Sequence, residues 1–248
     1  PPEGSFHLST LMIPAQRQAL LDEIRARLKA GLPCRVVSTS LIEAGVDVDF
    51  PFVYRELAGL DSVLQAAGRC NREGTRPAGE SIVTVFERTE PPPALFRTAI
   101  GAAREALAQG RDPAAAETMG LYFRSLRSLT GTALDKHGVV KAFETGISGC
   151  MLPFRTVAEK FHLIDQNTRT VYIPYGVGAE LLEQLRTQGG SRHLYRKLGR
   201  YAVSVYDQHF QALYNAGVLL TAREIPALDA ESAILTDMDL YSDTMGLS

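Results

Sequence analysis

The sequence contains no tryptophan, few cysteines and no apolar run near the ~18 residues that a membrane-spanning helix needs. Its three cysteines, Cys34, Cys70 and Cys150, are widely spaced and include no CxxC pair. Neither a disulfide framework nor a cysteine zinc site is therefore expected. The first residues also lack the charged and apolar regions of a signal peptide. These absences favour a protein of the reducing cytoplasm with no membrane partner.

An excess of charge of one sign is also absent. The chain carries 26 Lys and Arg against 28 Asp and Glu, a formal net charge of −2 at pH 7. This balance excludes a protein that coats nucleic acid by bulk electrostatics, but it leaves room for a local basic groove. With 248 residues, 45% of them hydrophobic, the chain can form one large domain or two modest ones. Because it lacks a starting Met, we expect it to be a piece of a longer protein.

The first ninety residues alternate short apolar runs with apolar residues at helical spacing, as parallel βαβ units do. Strands are predicted at residues 6–10, 34–39, 50–55 and 81–86. One helix is predicted around Leu20 to Leu28, and another is expected to begin at Asp61 as its cap. This pattern predicts an α/β fold with a mainly parallel sheet.

A proline triplet at residues 91–93 ends this pattern. The chain beyond it predicts a helical linker of two helices, and then a small α+β domain. Within that domain the sequence predicts a hairpin over 161–173, a helix over 179–186, a strand over 201–206 and a helix capped by Asp207. The last 25 residues hold six acids and no base, which indicates a partly solvated tail. The predicted domains are 1–90, 91–135 and 136–248.

The clearest chemical signal is a QxxGRxxR motif within residues 65–74, at the end of the second predicted helix. Its two arginines, Arg69 and Arg72, are three positions apart and are expected to share one helical face. Two guanidinium groups can converge on a triphosphate and stabilise the charge that develops at the γ-phosphoryl group. The alternative is two surface arginines on an ordinary helix.

A second signal lies in residues 36–49, where small hydroxyl side chains follow a predicted strand and precede Glu-Ala-Gly-Val-Asp. Ligands of parallel sheets bind beyond the carboxyl ends of the strands. The hydroxyls of Ser38, Thr39 and Ser40 could hold nucleic-acid phosphates there, while Asp47 could orient a ribose or an arginine. The alternative is a capped turn followed by a packed strand.

Taken together, these segments resemble motifs V and VI in the second RecA-like domain of superfamily 2 helicases. The sequence over residues 6–88, which contains STSLIEAGVDVDF followed by YRELAGLDSVLQAAGRCNREG, is similar to that of the helicase–nuclease of type I CRISPR systems. The resemblance implies a partial RecA-like domain with motifs IV–VI, a helical linker and a C-terminal domain. It also implies ATP-dependent translocation on single-stranded DNA, which unwinds invader DNA for degradation in CRISPR interference.

The resemblance further implies roles for single residues. The expected catalytic residues are Arg69 and Arg72, which would contact ATP. The expected cofactor-binding residues are Gln65, Gly45, Asp47 and Gly68. The residues expected near the DNA strand are Ser38, Thr39 and Ser40. The implied partners are single-stranded DNA, the Cascade-type surveillance complex and inhibitor proteins.

ATP and Mg²⁺ are the implied cofactors of the intact enzyme. This sequence contains no GxxxxGK[ST] loop, so other parts of the enzyme are expected to hold most of the nucleotide and metal. The chain alone is therefore predicted to be inactive. Its five histidines are scattered without a His-Asp doublet, so no metal site is predicted, and only His7 lies in a motif stretch that could face DNA.

A basic segment, residues 186–200, contains no acid and has tyrosines close by in the sequence. Its candidate DNA-binding residues are Arg192, Arg196, Lys197 and Arg200. Basic groups beside aromatic rings can follow a single strand by phosphate contact and base stacking. The interpretation that we favour is simpler, a solvated face with tyrosines in the core.

Two other functions are consistent with the sequence. The chain could be a non-enzymatic docking module for the surveillance complex or for an inhibitor. It could also belong to a different DNA-remodelling ATPase of the same superfamily.

Overall fold

A computed structural model describes residues 2–43, 45–135, 137–149, 151–161 and 168–248. The described residues form two compact units, one of Pro1–Val48 with Gln166–Ser248 and the other of Asp49–Asp165. These units do not coincide with the predicted segments 1–90, 91–135 and 136–248, whose boundaries stay a prediction. Among the described residues, no helix has the length and apolar character to cross a membrane.

The first unit begins with two parallel strands joined by a helix. These elements are β1 (Ser5–Leu8), α1 (Pro14–Lys29) and β2 (Arg35–Ser38). Phe6 of β1 lies opposite Val36 of β2. The helix starts at Pro14, whose fixed φ suits a first helical position, and it buries Leu21 and Ile24. The predicted strands and helix of this stretch are thus confirmed.

The rest of the first unit is built on a mixed four-stranded sheet. Its elements are β5 (Thr168–Tyr172), α7 (Val177–Gln188), α8 (Arg192–Leu198), β6 (Ala202–Tyr206), α9 (Asp207–Asn215), β7 (Leu219–Leu220), β8 (Ser232–Leu235), β9 (Tyr241–Ser242) and β10 (Gly246–Leu247). The strand order is β6-β5-β8-β7, with β5 antiparallel to β6 and parallel to β8. Of the predicted hairpin, only the arm around β5 is described, since residues 162–167 lie outside the described residues.

Both faces of this sheet are covered by apolar side chains. One core cluster joins Val171, Val203 and Leu235 to Ile13 at the start of α1. The other joins Tyr172 and Ile234 to the leucines of α7 and α8. The start of α1 and one face of the C-terminal sheet therefore share one core, which explains why residues more than 150 positions apart form one unit.

The C-terminal stretch, predicted to be a partly solvated tail, is instead folded into the first unit with its apolar residues buried. Within the last 25 residues, Ile225, Leu228, Tyr241 and Leu247 are buried, and β8 is buried throughout. The antiparallel pair β9–β10 is also bonded to the β1–α1 connection, where the Leu247 N–H donates to the Leu11 carbonyl at 2.9 Å. The six acids of this stretch lie at its exposed positions, so the charge pattern correctly indicates which of its residues face solvent.

The second unit combines a parallel strand pair with five helices. Its elements are β3 (Phe52–Glu56), α2 (Leu60–Ala67), β4 (Ile82–Phe86), α3 (Ala94–Leu107), α4 (Ala116–Thr130), α5 (Val139–Ser148) and α6 (Phe154–Lys160). Phe52 of β3 lies opposite Ile82 of β4. Helices α2, α3 and α4 pack through a core of Leu60, three alanines of α3 and Tyr122. The predicted α/β class is confirmed. The four strands that were predicted to form one mainly parallel sheet form two separate parallel pairs instead, β1–β2 and β3–β4.

Two predicted caps are wrong. The N-cap of α2 is Gly59, and Asp61 lies within the first turn, where its carboxylate accepts a hydrogen bond from the Tyr122 hydroxyl. The N-cap of α9 is Tyr206, and Asp207 is the first helical residue, where it pairs with Arg169 at 2.9 Å. In each case, the carboxylate binds a side chain that is distant in sequence and does not accept a hydrogen bond as the N-cap of its helix.

Candidate functional site

The two predicted arginines lie on a loop and not on a helical face. Helix α2 ends at Ala67, and the chain continues as the arginine loop, which we define as residues 68–76. Two backbone hydrogen bonds hold this loop against the residue before β3, from the Phe50 N–H to the Arg69 carbonyl at 2.8 Å and from the Asn71 N–H to the Phe50 carbonyl at 2.9 Å. Asn71 has φ of 48°, a left-handed conformation that ends helical continuation. The prediction of a shared helical face is therefore wrong.

Three side chains that the sequence did not single out hold this loop in place, Asp49 from outside it and Asn71 and Arg76 from within it. The Asp49 carboxylate accepts the Arg72 backbone N–H at 2.7 Å through Oδ1 and the Arg76 guanidinium at 2.8 Å through Oδ2. Asn71 donates to the Arg76 carbonyl at 2.8 Å and accepts the Arg76 N–H at 3.0 Å. The one available sequence signal was Asn71 itself, because asparagine tolerates left-handed φ better than most residues.

The four predicted nucleotide-contacting residues of this region differ in exposure. Gln65, Gly68 and Arg72 are exposed, whereas Arg69 is half-buried. Gly68 has an ordinary φ of −64°, so its backbone conformation does not require glycine. Exposed guanidinium groups on a fixed loop have the chemistry to bind phosphate oxygens. The nucleotide roles of these residues stay predictions.

The start of the helix that leads to the arginine loop is anchored by a buried tyrosine. The Tyr122 hydroxyl, on α4, donates to Asp61 Oδ1 at 2.7 Å. A Cβ at Gly59 would lie 2.5 Å from the Tyr122 hydroxyl and 2.6 Å from the Asp61 carboxylate, so only glycine fits this cap. Burial and the hydrogen bond to Asp61 raise the pKa of Tyr122 above its ordinary value. The helical pair α3–α4 therefore supports α2, the helix that leads to the arginine loop.

The hydroxyl residues belong to the first unit, at the carboxyl end of β2. Thr39 and Ser40 are exposed, and Ser40 begins a short 3-10 turn that runs to Ile42. The Ser38 hydroxyl donates to the Thr39 carbonyl at 2.9 Å, so it has a local partner, as the capped-turn alternative expects. Two hydroxyls at a strand end thus face solvent, while their contact with DNA stays a prediction.

The residues after this turn place an acid at the surface. Gly45 has φ of 72°, which L side chains rarely adopt. Asp47 is exposed, and its backbone carbonyl accepts Arg25 Nε at 2.9 Å. The flanking Val46 and Val48 are buried, so alternation along 46–48 fixes the side chain of Asp47 on the outer face. A nucleotide role for Gly45 and Asp47 stays a prediction.

The basic segment spans the end of α7 and the whole of α8. Leu194 and Leu198 are buried at helical spacing, which leaves the basic side chains on the outer face. Its exposed candidate residues are Arg192, Arg196, Lys197 and Arg200. Tyr195 is half-buried and its hydroxyl donates to the Ala227 carbonyl, so this tyrosine packs as the simpler interpretation expects.

Metal-binding chemistry has little support in the described ranges. They contain no group of three or more His, Cys, Asp or Glu residues that could hold a metal ion. Cys34 and Cys70 are free, and partial burial raises the pKa of both thiols. Cys150 lies outside the described residues. His7 Nδ1 lies 3.1 Å from the Thr244 carbonyl oxygen, so the ring is used inside the first unit.

Comparisons with families, with curated relatives and with solved structures all find CRISPR-associated Cas3 proteins. Residues 5–75 match a family described as CRISPR-associated nuclease/helicase Cas3, C-terminal. This match covers both the hydroxyl residues after β2 and the two arginines. A curated relative from Haloferax volcanii, a CRISPR-associated nuclease/helicase Cas3, is 42% identical over 72 residues, which are 28% of this chain and 8% of the relative.

A second relative of the same description, from Methanothermobacter thermautotrophicus, is 28% identical over 83 residues. These are 33% of this chain and 10% of the relative, so the chain matches about a tenth of these relatives' length or less.

Solved structures resemble a much larger part of the chain. The crystal structure of T. fusca Cas3 aligns with a TM-score of 0.55 and 16% identity, covering 93% of this chain and 32% of that chain. The crystal structure of T. fusca Cas3-AMPPNP aligns with a TM-score of 0.52 and 16% identity over the same shares. A CRISPR RNA-guided surveillance complex, pre-nicking, has a chain that aligns with a TM-score of 0.51 and 15% identity, covering 94% of this chain and 34% of that chain. At such identities the likeness shows the fold.

The described residues have the fold of the T. fusca Cas3 structures, and residues 5–75 are similar to the C-terminal part of a CRISPR-associated nuclease/helicase. The matched family, Cas3, is the one that the resemblance of the two motif segments predicted.

Proposed function

We propose that this chain supplies the arginine-bearing part of an ATP-dependent translocase that moves on single-stranded DNA. In the intact protein, this movement unwinds invader DNA for degradation. Arg69 and Arg72 contact the nucleotide and stabilise charge at the γ-phosphoryl group. Gln65, Gly68 and the 45–47 segment assist them. The exposed hydroxyls of Thr39 and Ser40, with Ser38, lie along the DNA strand.

The observation that carries this proposal is the fixed backbone of the arginine loop, which lies in the family-matched region 5–75 up to its last residue but one. An arginine that stabilises a transferring phosphoryl group must be held in place before the reaction, because its contribution depends on position. The bridge between Phe50 and the loop and the Asp49 contacts give that rigidity. The likeness to T. fusca Cas3-AMPPNP adds support for a nucleotide partner.

ATP and Mg²⁺ are part of the proposal in unequal ways. The donor set of this chain, two arginines on a fixed loop, suits phosphate oxygens. Within the described ranges no acidic or histidine cluster suits a metal ion. We therefore assign Mg²⁺ and most of the nucleotide to other residues of the intact protein, and we give Mg²⁺ no role at this chain's residues.

The decisive test is Arg72→Ala in the complete protein that contains this chain. Loss of an arginine that acts on the γ-phosphoryl group should lower the turnover number for DNA-stimulated ATP hydrolysis by about 10³-fold or more. Arg124→Ala is the matched control, because Arg124 is an exposed arginine of α4 in the same unit and outside the motif. Turnover that is equal in the two variants would contradict the proposal.

A second function is favoured by one comparison. Because the chain aligns with a chain of a CRISPR RNA-guided surveillance complex, a docking surface for a complex of that Cascade type is a further candidate. Inhibitor proteins are candidate occupants of the same surface. Binding of the isolated chain to the purified surveillance complex, measured without ATP, tests this function. Tight binding favours a docking role. Absence of binding contradicts that role and leaves the translocase part as the proposed function.

A further inference from the structure

We propose that Asp49, Asn71 and Arg76 form a positioning clamp that sets the place of Arg72 for ATP hydrolysis. The inference rests on the proposed function, since it assigns positioning residues to the same reaction. It gives different roles to Arg72 and Arg76, two arginines of the same loop. Arg76 would serve structure, and Arg72 would serve chemistry.

The clamp begins with a carboxylate that uses both of its oxygens. Asp49 Oδ1 accepts the backbone N–H of Arg72 at 2.7 Å, while Oδ2 accepts the Arg76 guanidinium at 2.8 Å. A second guanidinium nitrogen of Arg76 lies 3.5 Å from the Asp49 carbonyl oxygen. The Asp49 and Arg76 side chains are only 19% and 29% exposed, so solvent screens their pairing less than that of a surface pair. Arg76 is thus engaged, and its charge is compensated locally.

The clamp is closed by the side-chain amide of Asn71. Its two hydrogen bonds to the backbone of Arg76, at 2.8 and 3.0 Å, tie the two ends of the loop together. The Gly74 N–H donates to the Asn71 carbonyl at 2.9 Å and forms the turn between them. Because Arg72 lies inside this closed loop and its own N–H is bonded, its Cα has little freedom to move.

This geometry predicts how the reaction depends on the clamp. A displacement of about 1 Å in a group that acts on the transition state can lower the rate about 100-fold, without removing any contact to the ground state. Loss of the clamp should therefore lower kcat and leave KM for ATP nearly unchanged. A merely structural ion pair would affect the amount of folded protein, and so would not alter kcat per folded molecule.

The experiment compares Asp49→Asn, Arg76→Ala and Arg76→Lys in the complete protein. Asp49→Asn keeps an oxygen for the Arg72 N–H but loses the charge that holds Arg76. For Asp49→Asn and Arg76→Ala we expect a fall in kcat of about 10- to 100-fold with KM for ATP changed less than about threefold. Arg76→Lys retains a cation for Oδ2 and should recover part of the loss. The melting temperature of each variant gives its folded fraction at the assay temperature.

Arg88→Ala is the matched control, because Arg88 pairs with Glu56 at the same distance of 2.8 Å in the same unit. Its kcat per folded molecule should equal that of the unaltered protein. Clamp variants with the kcat of this control would overturn the inference, as would a fall shared equally by Arg88→Ala.

The Arg72→Ala variant separates the two proposals. If Arg72→Ala hydrolyses ATP normally, the proposed function is wrong. If Arg72→Ala is slow and the clamp variants are normal, only the clamp is wrong. Should Arg76→Ala fail to fold, the pair of Asp49→Asn and Arg76→Lys decides the same question.

Discussion

Removing the hydroxyl of Tyr122, on α4, tests how much its hydrogen bond to Asp61 stabilises α2, the helix that leads to the arginine loop. Tyr122 is 1% exposed, and its hydroxyl donates to Asp61 Oδ1 at 2.7 Å. A hydrogen bond to a charged group contributes about 1.5–3 kcal/mol to stability. Because the Asp61 residue is exposed, water can replace the lost donor, so we expect Tyr122→Phe to cost about 1.5 kcal/mol, at the lower end of this range. Tyr122→Ala, which also empties the ring's space, should cost about 3–5 kcal/mol.

The assay is urea denaturation of this chain at pH 7, followed by circular dichroism. Tyr54→Phe is the matched control, because Tyr54 is 73% exposed on β3 of the same unit. We expect its free energy of unfolding to change by less than about 0.5 kcal/mol. If Tyr122→Phe is as stable as Tyr54→Phe, the hydrogen bond to Asp61 does not support the fold.

The same variant predicts a pH dependence with a definite sign. Burial and the Asp61 hydrogen bond raise the pKa of Tyr122 in the folded state. The unfolded chain therefore loses this proton first, and the stabilisation is complete below about pH 10 and declines as pH rises above it. Since Tyr122→Phe has no proton to lose there, its deficit in unfolding free energy should shrink above about pH 10. A deficit that stays constant or grows with pH would refute this reasoning.

Three further predictions concern the whole chain. The purified chain should hydrolyse no ATP, since γ-phosphate binding needs the lysine of a GxxxxGK[ST] loop, which this sequence lacks. DNA-stimulated phosphate release would contradict this. Replacing the four candidate residues of the basic segment by Ala should leave the slope of log affinity against log salt unchanged for single-stranded DNA. A slope flattened by ~0.7 per residue would instead assign them to phosphates. Leu247→Ala should lower the free energy of unfolding, measured by urea denaturation, by about 3 kcal/mol, because Leu247 is 1% exposed. An unchanged midpoint would instead support the prediction of a partly solvated tail.

Much of the local structure could be predicted from the sequence. Apolar spacing located α1, and compact β-branched runs located β2 and β4, because helix and strand periods are properties of neighbouring residues. Two short motifs were sufficient to predict the family that residues 5–75 match, since the residue types that phosphate and nucleic-acid chemistry needs lie close together in the chain. The predictions failed where a partner came from far away in sequence.

The arginine loop, the caps and the C-terminal stretch were decided by tertiary structure. Arg72 does not lie on the predicted helical face, because the backbone of its loop is hydrogen-bonded to Phe50 and Asp49 and not to a further helical turn. Asp61 was bound by Tyr122, 61 positions away, and Leu247 was buried through contact with the β1–α1 connection. Periodicity reports which residues face one side of their own element. It does not report which distant group will satisfy a carboxylate or cover a leucine, because that depends on how the elements pack in three dimensions.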